Sequence, residues 1–548
     1  MRQRLPSARG PLSAPRSRPR TRIAHTFDRS LGMGNSAVLH ALVTTPAPAV
    51  QGRCLIFARG LGIALALLMV AAVPAPGDVA NFDVNPWIDD LHEIRTAMSE
   101  KYANFEWAVF EREIDLSGLF DETEARLRRA TSDEDAKAII DRSIRSISDG
   151  HLRVRWPSQP TGVSASVPAP QQNLCSAPRY DASMRGRALG PYIPNYHPLP
   201  DDVAAEFPAG VVSSGTHKIG VIRIGLFAPH GYPELCADTR DRLAIPADSS
   251  CDEKCTDRLE SAEYEVMSRD LALRVKELKR LGSTVLLIDI TGNGGGSEWA
   301  EAAARIVSPF GLRSERRKGV RGEHWTDYWE SLARELRQAA HSASPADSQK
   351  LEEWALQAEQ ARANASTYCS SAPFWSARRP DCEWLAPAFY ATGILAEADA
   401  TILHQKPWGP SVFSSAKYDF EASVWRGPLL VLVDGGTGSA AAEFSAVLQD
   451  NRAAVIIGAP GPSGGCGHTR GGTPTTLTHS HAILEVPDCA RIRRDGSNEA
   501  RGIDPNILIG FRGTDGIHRK GLLVDAALSR SVAAAVQLCE RKHCSRMQ

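Results

Sequence analysis

Neither sign of charge dominates this chain: 63 Lys and Arg stand against 64 Asp and Glu in 548 residues, a formal charge of −1. No basic face for a nucleic acid is implied. The apolar run Leu61 to Val73 is about 13 residues, short of the roughly 20 that cross a bilayer, so no stable membrane span is expected once the leader is processed. Metal-ligand spacing is missing too. Cys251-Asp-Glu-Lys-Cys255 and Cys539-Glu-Arg-Lys-His-Cys544 have no second ligand pair at finger-like distance, which leaves local bridges as the expectation and zinc as the weaker one. There is no Gly-x-Ser-x-Gly around Ser439, which an α/β-hydrolase would need. Gly292-Asn-Gly-Gly-Gly-Ser is not the Gly-x-Gly-x-x-Gly of a dinucleotide site. No cofactor and no metal are therefore expected.

What is present is a large globular chain, 43% hydrophobic and 23% charged, with core enough for more than one domain. Residues 1–80 differ from the rest. Arg2 to Arg29 is rich in Arg and Pro without apolar periodicity and predicts disorder. Arg53 and Arg59 then precede the Leu61 run, which ends in small residues near Ala75 and Ala80: a secretory signal over 53–80. Its distance from Met1 implies a translation start downstream of that methionine. Without residues 1–80 the chain carries 53 basic and 62 acidic side chains, about −9. Ten of the 11 cysteines follow the leader, an even number that predicts disulfides and a periplasmic or secreted protein.

Along the chain, Asn85-Pro86 opens a helix with Trp87, Leu91, Ile94, Met98 and Tyr102 on one face, and Thr131-x-x-Glu134 opens another. A helical N-terminal domain is expected over 84–150. Residues 151–216 read as a Pro-rich connection, beginning with the alternating strand Leu152 to Trp156. A strand from Lys218, a helix with Met267, Leu271, Val275 and Leu278 on one face, and the strand at Leu286 give a βαβ order. The core is expected over 217–310 and 426–530. It is interrupted at 311–425 by an insertion with Trp325, Trp329, Leu332 and Leu336 in helical register, and followed by a tail at 531–548. That insertion reads as a packing subdomain, or alternatively as a wall of the active-site cleft.

Two strand ends carry the chemistry, Leu286-Leu-Ile-Asp-Ile-Thr-Gly-Asn-Gly-Gly-Gly296 and Leu430-Val-Leu-Val-Asp-Gly-Gly-Thr-Gly-Ser-Ala-Ala-Ala-Glu443. Each reads as a buried strand, a tight turn and a helix start. A hydroxyl at the second turn would face the bare amides of Gly294 and Gly295.

These words, with Leu448-Gln-Asp450, Val455-Ile-Ile-Gly458, Asp149-Gly-His151 and Glu499-Ala-Arg-Gly-Ile-Asp-Pro505 in the same order, resemble the serine peptidase family of the C-terminal processing (tail-specific) proteases and the tricorn protease core. The resemblance covers roughly Trp87 to Gly510. It implies an α/β fold with a crotonase/ClpP-like core and a twisted parallel sheet, plus a small N-terminal helical domain and a helical insertion. It also implies a peptide or protein substrate. Residues 157 to 215 are too few and too irregular for the PDZ domain that tail-specific members carry, so cleavage of internal bonds is expected rather than recognition of a free C-terminus.

Counting back from Gln449-Asp450 places Ser439 on the family's nucleophile, and counting back from Glu443 places Ala440 there. Ala440 has no chemistry to offer, which favours Ser439; as a bare helix cap, Ser439 would belong to an inactive relative that binds peptides or small lipophiles. The family's lysine position falls on Gly464, so a Ser-Lys dyad is absent. The tricorn-like branch uses a histidine, and its position falls on His151, with His468 as the rival base. Its glutamate falls on Glu499. The resemblance thus implies Ser439, His151 and Glu499 as the catalytic set, and Ala440 with Gly294 or Gly295 as the oxyanion hole.

Overall fold

The computed structural model describes residues 82–157, 174–176, 179–200, 204–246, 251–461, 464–468 and 475–544. The leader and signal segment expected over 1–80 lie outside these residues, as do 158–173 of the Pro-rich connection and the last four residues of the tail.

Seven strands form the central sheet: β1 (His197–Pro198), β2 (Ala209–Ser214), β3 (His217–Arg223), β4 (Val285–Asp289), β5 (Leu429–Val433), β6 (Val455–Gly458) and β7 (Ile507–Leu508). Their order in space follows their order in the chain. From β3 to β7 every pairing is parallel, while β1, β2 and β3 pair antiparallel. The expected parallel sheet is thus a mixed one. The irregular connection contributes the two-residue edge strand β1 and its inner neighbour β2, whose mostly buried residues do not alternate.

Strands β4 and β5, Val-Leu-Leu-Ile-Asp and Leu-Leu-Val-Leu-Val, are buried throughout, as parallel strands covered on both faces must be. Alternation divides them. Leu286, Ile288, Val431 and Val433 meet Met267, Leu271 and Val275 of the helix Glu253–Arg280 in one core. Leu287, Leu430 and Leu432 meet Val524, Leu528 and Val532 of the helix Ile517–Arg541 in the other. That last helix is long and apolar enough to cross a membrane by length and composition, and here it packs on the sheet.

Three helices, Asn85–Lys101, Leu116–Leu127 and Asp133–Ser146, make up the N-terminal region. The third begins one residue later than the Thr131 signal implies. Ser132 accepts from the Asp135 amide at 3.2 Å, and Asp135 reaches back to the Thr131 amide at 3.3 Å, so the capping box closes around Ser132.

The insertion pairs the helices Glu323–Ala340 and Pro345–Ala365, with Trp325, Trp329, Leu332 and Leu336 buried. It also supplies two strands that sequence reasoning missed, Arg316–Val320 and Leu385–Tyr390, and the first pairs with the core strand Cys489–Ile492. Disulfides join Cys175 to Cys236, Cys251 to Cys255, Cys369 to Cys382 and Cys466 to Cys489. The Cys251 bridge is the local one expected. Cys539 and Cys544 are not bridged; Cys539 sits in the last turn of its helix, where its carbonyl accepts from the Cys544 amide at 3.0 Å.

Candidate active site

Strands β4 and β5 are neighbours in the sheet, so their glycine turns leave it side by side. Buried carboxylates and hydroxyls join the two turns. Asp289 ends β4 and accepts from the Thr291 amide at 3.0 Å and from the amides of Leu189 and Gly190 at 2.8 and 2.7 Å. Asp434, just after β5, accepts from Gly292 of the other turn at 2.7 Å and from Gly436 at 3.0 Å. The Gly438 amide donates to the Asn293 carbonyl at 3.0 Å, and the Thr437 hydroxyl donates to the Ile290 carbonyl at 3.0 Å. Only glycine fits where the turns touch: a Cβ on Gly436 would lie 2.8 Å from the Gly292 Cα.

Ser439 follows this junction with φ 51° and ψ −123°, a backbone conformation that residues with a Cβ seldom adopt. The next residue, Ala440, opens the helix Ala440–Asp450. Its N–H is therefore among those that no helical carbonyl can reach. Gly295, at φ +126°, lies so close that a Cβ there would sit 2.6 Å from the Ser439 Cβ. The Gly295 amide is already taken: it donates to the Asn293 side chain at 2.9 Å. Gly294, the other glycine expected to supply an amide, lies on the exposed side of the turn.

His151 lies 3.0 Å from Ser439, Nε2 to Oγ. Its loop is fixed from the N-terminal helices. Asp149 accepts from the His151 amide at 3.0 Å through one oxygen, and through the other from the Tyr102 hydroxyl at 3.1 Å and the Asn104 amide at 2.9 Å. Gly467, at φ +70°, lies against the imidazole, where a Cβ would come within 3.0 Å of it. The Cys466–Cys489 disulfide ties that glycine loop to the strand Cys489–Ile492. His468 is behind His151, with ring centres 6.3 Å apart and its Nδ1 on the Val486 carbonyl at 3.1 Å.

Glu499 is fully buried, and its oxygens point elsewhere. Arg491 holds them at 2.6 and 2.9 Å through Nε and Nη2, and reaches Glu443 at 2.9 Å through Nη1. The Nδ1 of His151 is buried and has no hydrogen-bond partner among the described residues. Burial alone would raise the Glu499 carboxyl, but the charge and hydrogen bonds of Arg491 outweigh it and hold it down to about 2. Glu443, with the poorer share of the guanidinium, is pushed up by burial to about 8. Glu315 is raised well above the ordinary range by burial and by the charge of the nearby Glu499. The site carboxylate is thus one member of a buried ionic cluster.

The His151 imidazole is shifted down, first because burial disfavours its charged form. Asp149 and Glu499 oppose the shift, whereas Arg491 and His468 add to it. Sequence reasoning missed Arg491, Tyr102 and Asn104. For Arg491 the one trace was an arginine set among apolar neighbours in Cys489-Ala-Arg-Ile492.

Residues 258–509 match peptidase family S41, a stretch that includes Ser439 and Glu499 but not His151. Among solved structures the chain is similar to mature CPAF, with a TM-score of 0.50 at 14% identity over 85% of this chain and 99% of that one. It is similar to mature CPAF complexed with lactacystin to the same degree, TM-score 0.50 and 14% identity, over 84% of this chain and 99% of that one. At this identity the likeness is one of fold. No protein of curated function matches the sequence.

Proposed function

We propose that this chain, whose residues 258–509 match peptidase family S41, is a serine-type peptidase in which Ser439 is the nucleophile, His151 its base and Glu499 the supporting carboxylate. The observation that carries this reading is the 3.0 Å contact between the Ser439 hydroxyl and the His151 Nε2, at a strained residue between a strand end and a helix start. His151 Nε2 takes the hydroxyl proton as Oγ attacks the peptide carbonyl carbon. The Ala440 and Gly294 amides face the oxygen that gains the charge, an interaction worth about 3 to 4 kcal/mol per donor. His151 then gives the proton to the departing amine, leaving an acyl group on Ser439. A water molecule, deprotonated by the same nitrogen, releases the acid. Glu499 touches none of these atoms. Its charge, fixed by Arg491, favours the imidazolium through space.

The four disulfides among the described residues and the signal pattern over 53–80 support a periplasmic or secreted enzyme. The second reading is an inactive relative that binds peptides or small lipophiles. It is favoured by the unpartnered Nδ1 of His151, since a base usually has its second nitrogen oriented by a carboxylate.

Peptide hydrolysis and fluorophosphonate labelling separate the two. Ser439→Ala and His151→Ala should each lower kcat/KM by about 10⁴-fold or more, and the double variant should lose no more than either alone, because members of one catalytic unit are not additive. A wild-type protein that neither labels nor cleaves would leave the binding reading. Full activity in His151→Ala with none in His468→Ala would move the base to His468.

A further inference from the structure

We infer that a cavity beside the site binds a carboxylate of the substrate peptide, with Arg112 as its main partner and Arg501 as the second. The cavity measures about 380 Å³ and is lined by Trp107, Glu111, Arg112, Ser148, Ala500 and Arg501, with Gly461 also in its wall. Three chain segments lead from this lining into the reacting groups. Ser148 precedes the Asp149-Gly-His151 loop, Ala500 follows Glu499, and a Cβ on Gly461 would lie 2.5 Å from the carbonyl of Thr437, two residues before Ser439.

Its charge is unbalanced. Glu111 pairs with Arg501, whereas Arg112 has no ion-pair partner among the described residues. The Arg112 guanidinium is instead held 5.4 Å over the ring of Trp107. That stacking leaves the guanidinium edge, with its donors in a fixed fork, free to receive two oxygens. The backbone favours the same reading. Residues Trp107–Glu111 form a π-helical turn closed by the Arg112 amide on the Trp107 carbonyl at 2.9 Å. Such wide turns are rare and concentrate at functional sites, and this one places Trp107, Glu111 and Arg112 on one cavity. An Arg fork, an aromatic plate and one net positive charge suit a carboxylate better than an apolar or cationic side chain. The group can be an Asp or Glu side chain near the cleaved bond, or a free C-terminus.

This inference rests on the peptidase reading only in naming the ligand as a peptide, so its test measures binding to Ser439→Ala protein. Three fluorescein-labelled peptides of one sequence serve: Glu with an amidated C-terminus, Gln with an amidated C-terminus, and Gln with a free C-terminus. Fluorescence anisotropy should show one carboxylate-bearing peptide binding about tenfold tighter than the neutral one, as charge-assisted hydrogen bonds predict. A gain with Glu assigns the cavity to a side chain, and a gain with the free terminus assigns it to the chain end. Adding Arg112→Gln should erase the difference and leave the neutral peptide unchanged; Arg501→Gln should reduce it. Equal affinities for the three peptides, no measurable binding of any, or an equal loss for all in Arg112→Gln would overturn the inference. If the difference appears while wild-type protein cleaves nothing, the cavity stands and the catalytic reading falls.

Discussion

The nucleophile side of the site and the carboxylate side are built by opposite means. Ser439 is placed by backbone: two adjacent strand ends, glycines where no Cβ fits, and hydrogen bonds spanning a few residues of two turns. Glu499 is placed by charge, held by Arg491 on one strand together with Glu443 from a helix, and next to Glu315 from the insertion. The first arrangement is rigid because sterics leave it no alternative. The second is rigid only while every member of a dry ionic cluster is present.

Removing one member should therefore give the largest stability loss of any single change near the site. Arg491→Met leaves Glu499 and Glu443 buried without their cation, and the expected cost is about 3 to 5 kcal/mol. Urea unfolding followed by tryptophan fluorescence measures it. A loss under about 1 kcal/mol, the level of a solvated surface pair, would erase the contrast between the two sides.

On the backbone side the expected loss is of activity. Gly295→Ala requires a Cβ at φ +126°, 2.6 Å from the Ser439 Cβ, and so must shift the nucleophile. A displacement of about 1 Å costs roughly 100-fold in kcat. Gly435→Ala, in the neighbouring turn but with open space around it, should cost almost nothing. Equal kcat values for the two variants would mean that the close approach at Gly295 does not set the position of Ser439.

The same contrast explains how far the sequence could be read. Strand, turn and helix at Ser439 are contiguous, and buried strands announce themselves by apolar runs, so the α/β core and its paired glycine turns were legible. The ionic cluster was not, because Glu315, Glu443 and the Arg491–Glu499 pair come from three segments distant in the sequence. What joins them is the pairing of Arg316–Val320 with Cys489–Ile492, and a strand reading Arg-Arg-Lys-Gly-Val carries no alternating signal. The edge strand β1 and its neighbour β2 were hidden in a proline-rich stretch for a similar reason: a two-residue strand and a mostly buried one show no period of two. The Asn293 side chain that takes the Gly295 amide lies inside the motif itself. Its effect depends on a rotamer, which a sequence does not specify.

The smallest expected effect is on the pH profile, and it asks which side supports the charge that forms on His151. The imidazole accepts a proton only when neutral, so kcat/KM rises as pH passes upward through its folded pKa and falls on the acid side. Burial lowers that pKa from 6.5, so the acid limb should lie below 6.5 with activity already level at neutral pH. Asp149 raises it more than Glu499 does, and Arg491, beside Glu499, lowers it. Asp149→Asn should accordingly move the limb to lower pH, since an upward push is lost while the side-chain oxygen can still accept from the His151 amide. Glu499→Gln should move it in the same direction by less. The kcat/KM profile of each variant on one neutral peptide decides. If Glu499→Gln produces the larger shift, the cluster and not the loop carboxylate is the chief electrostatic support of the imidazolium, and the two sides of the site are more strongly coupled than their separate construction implies.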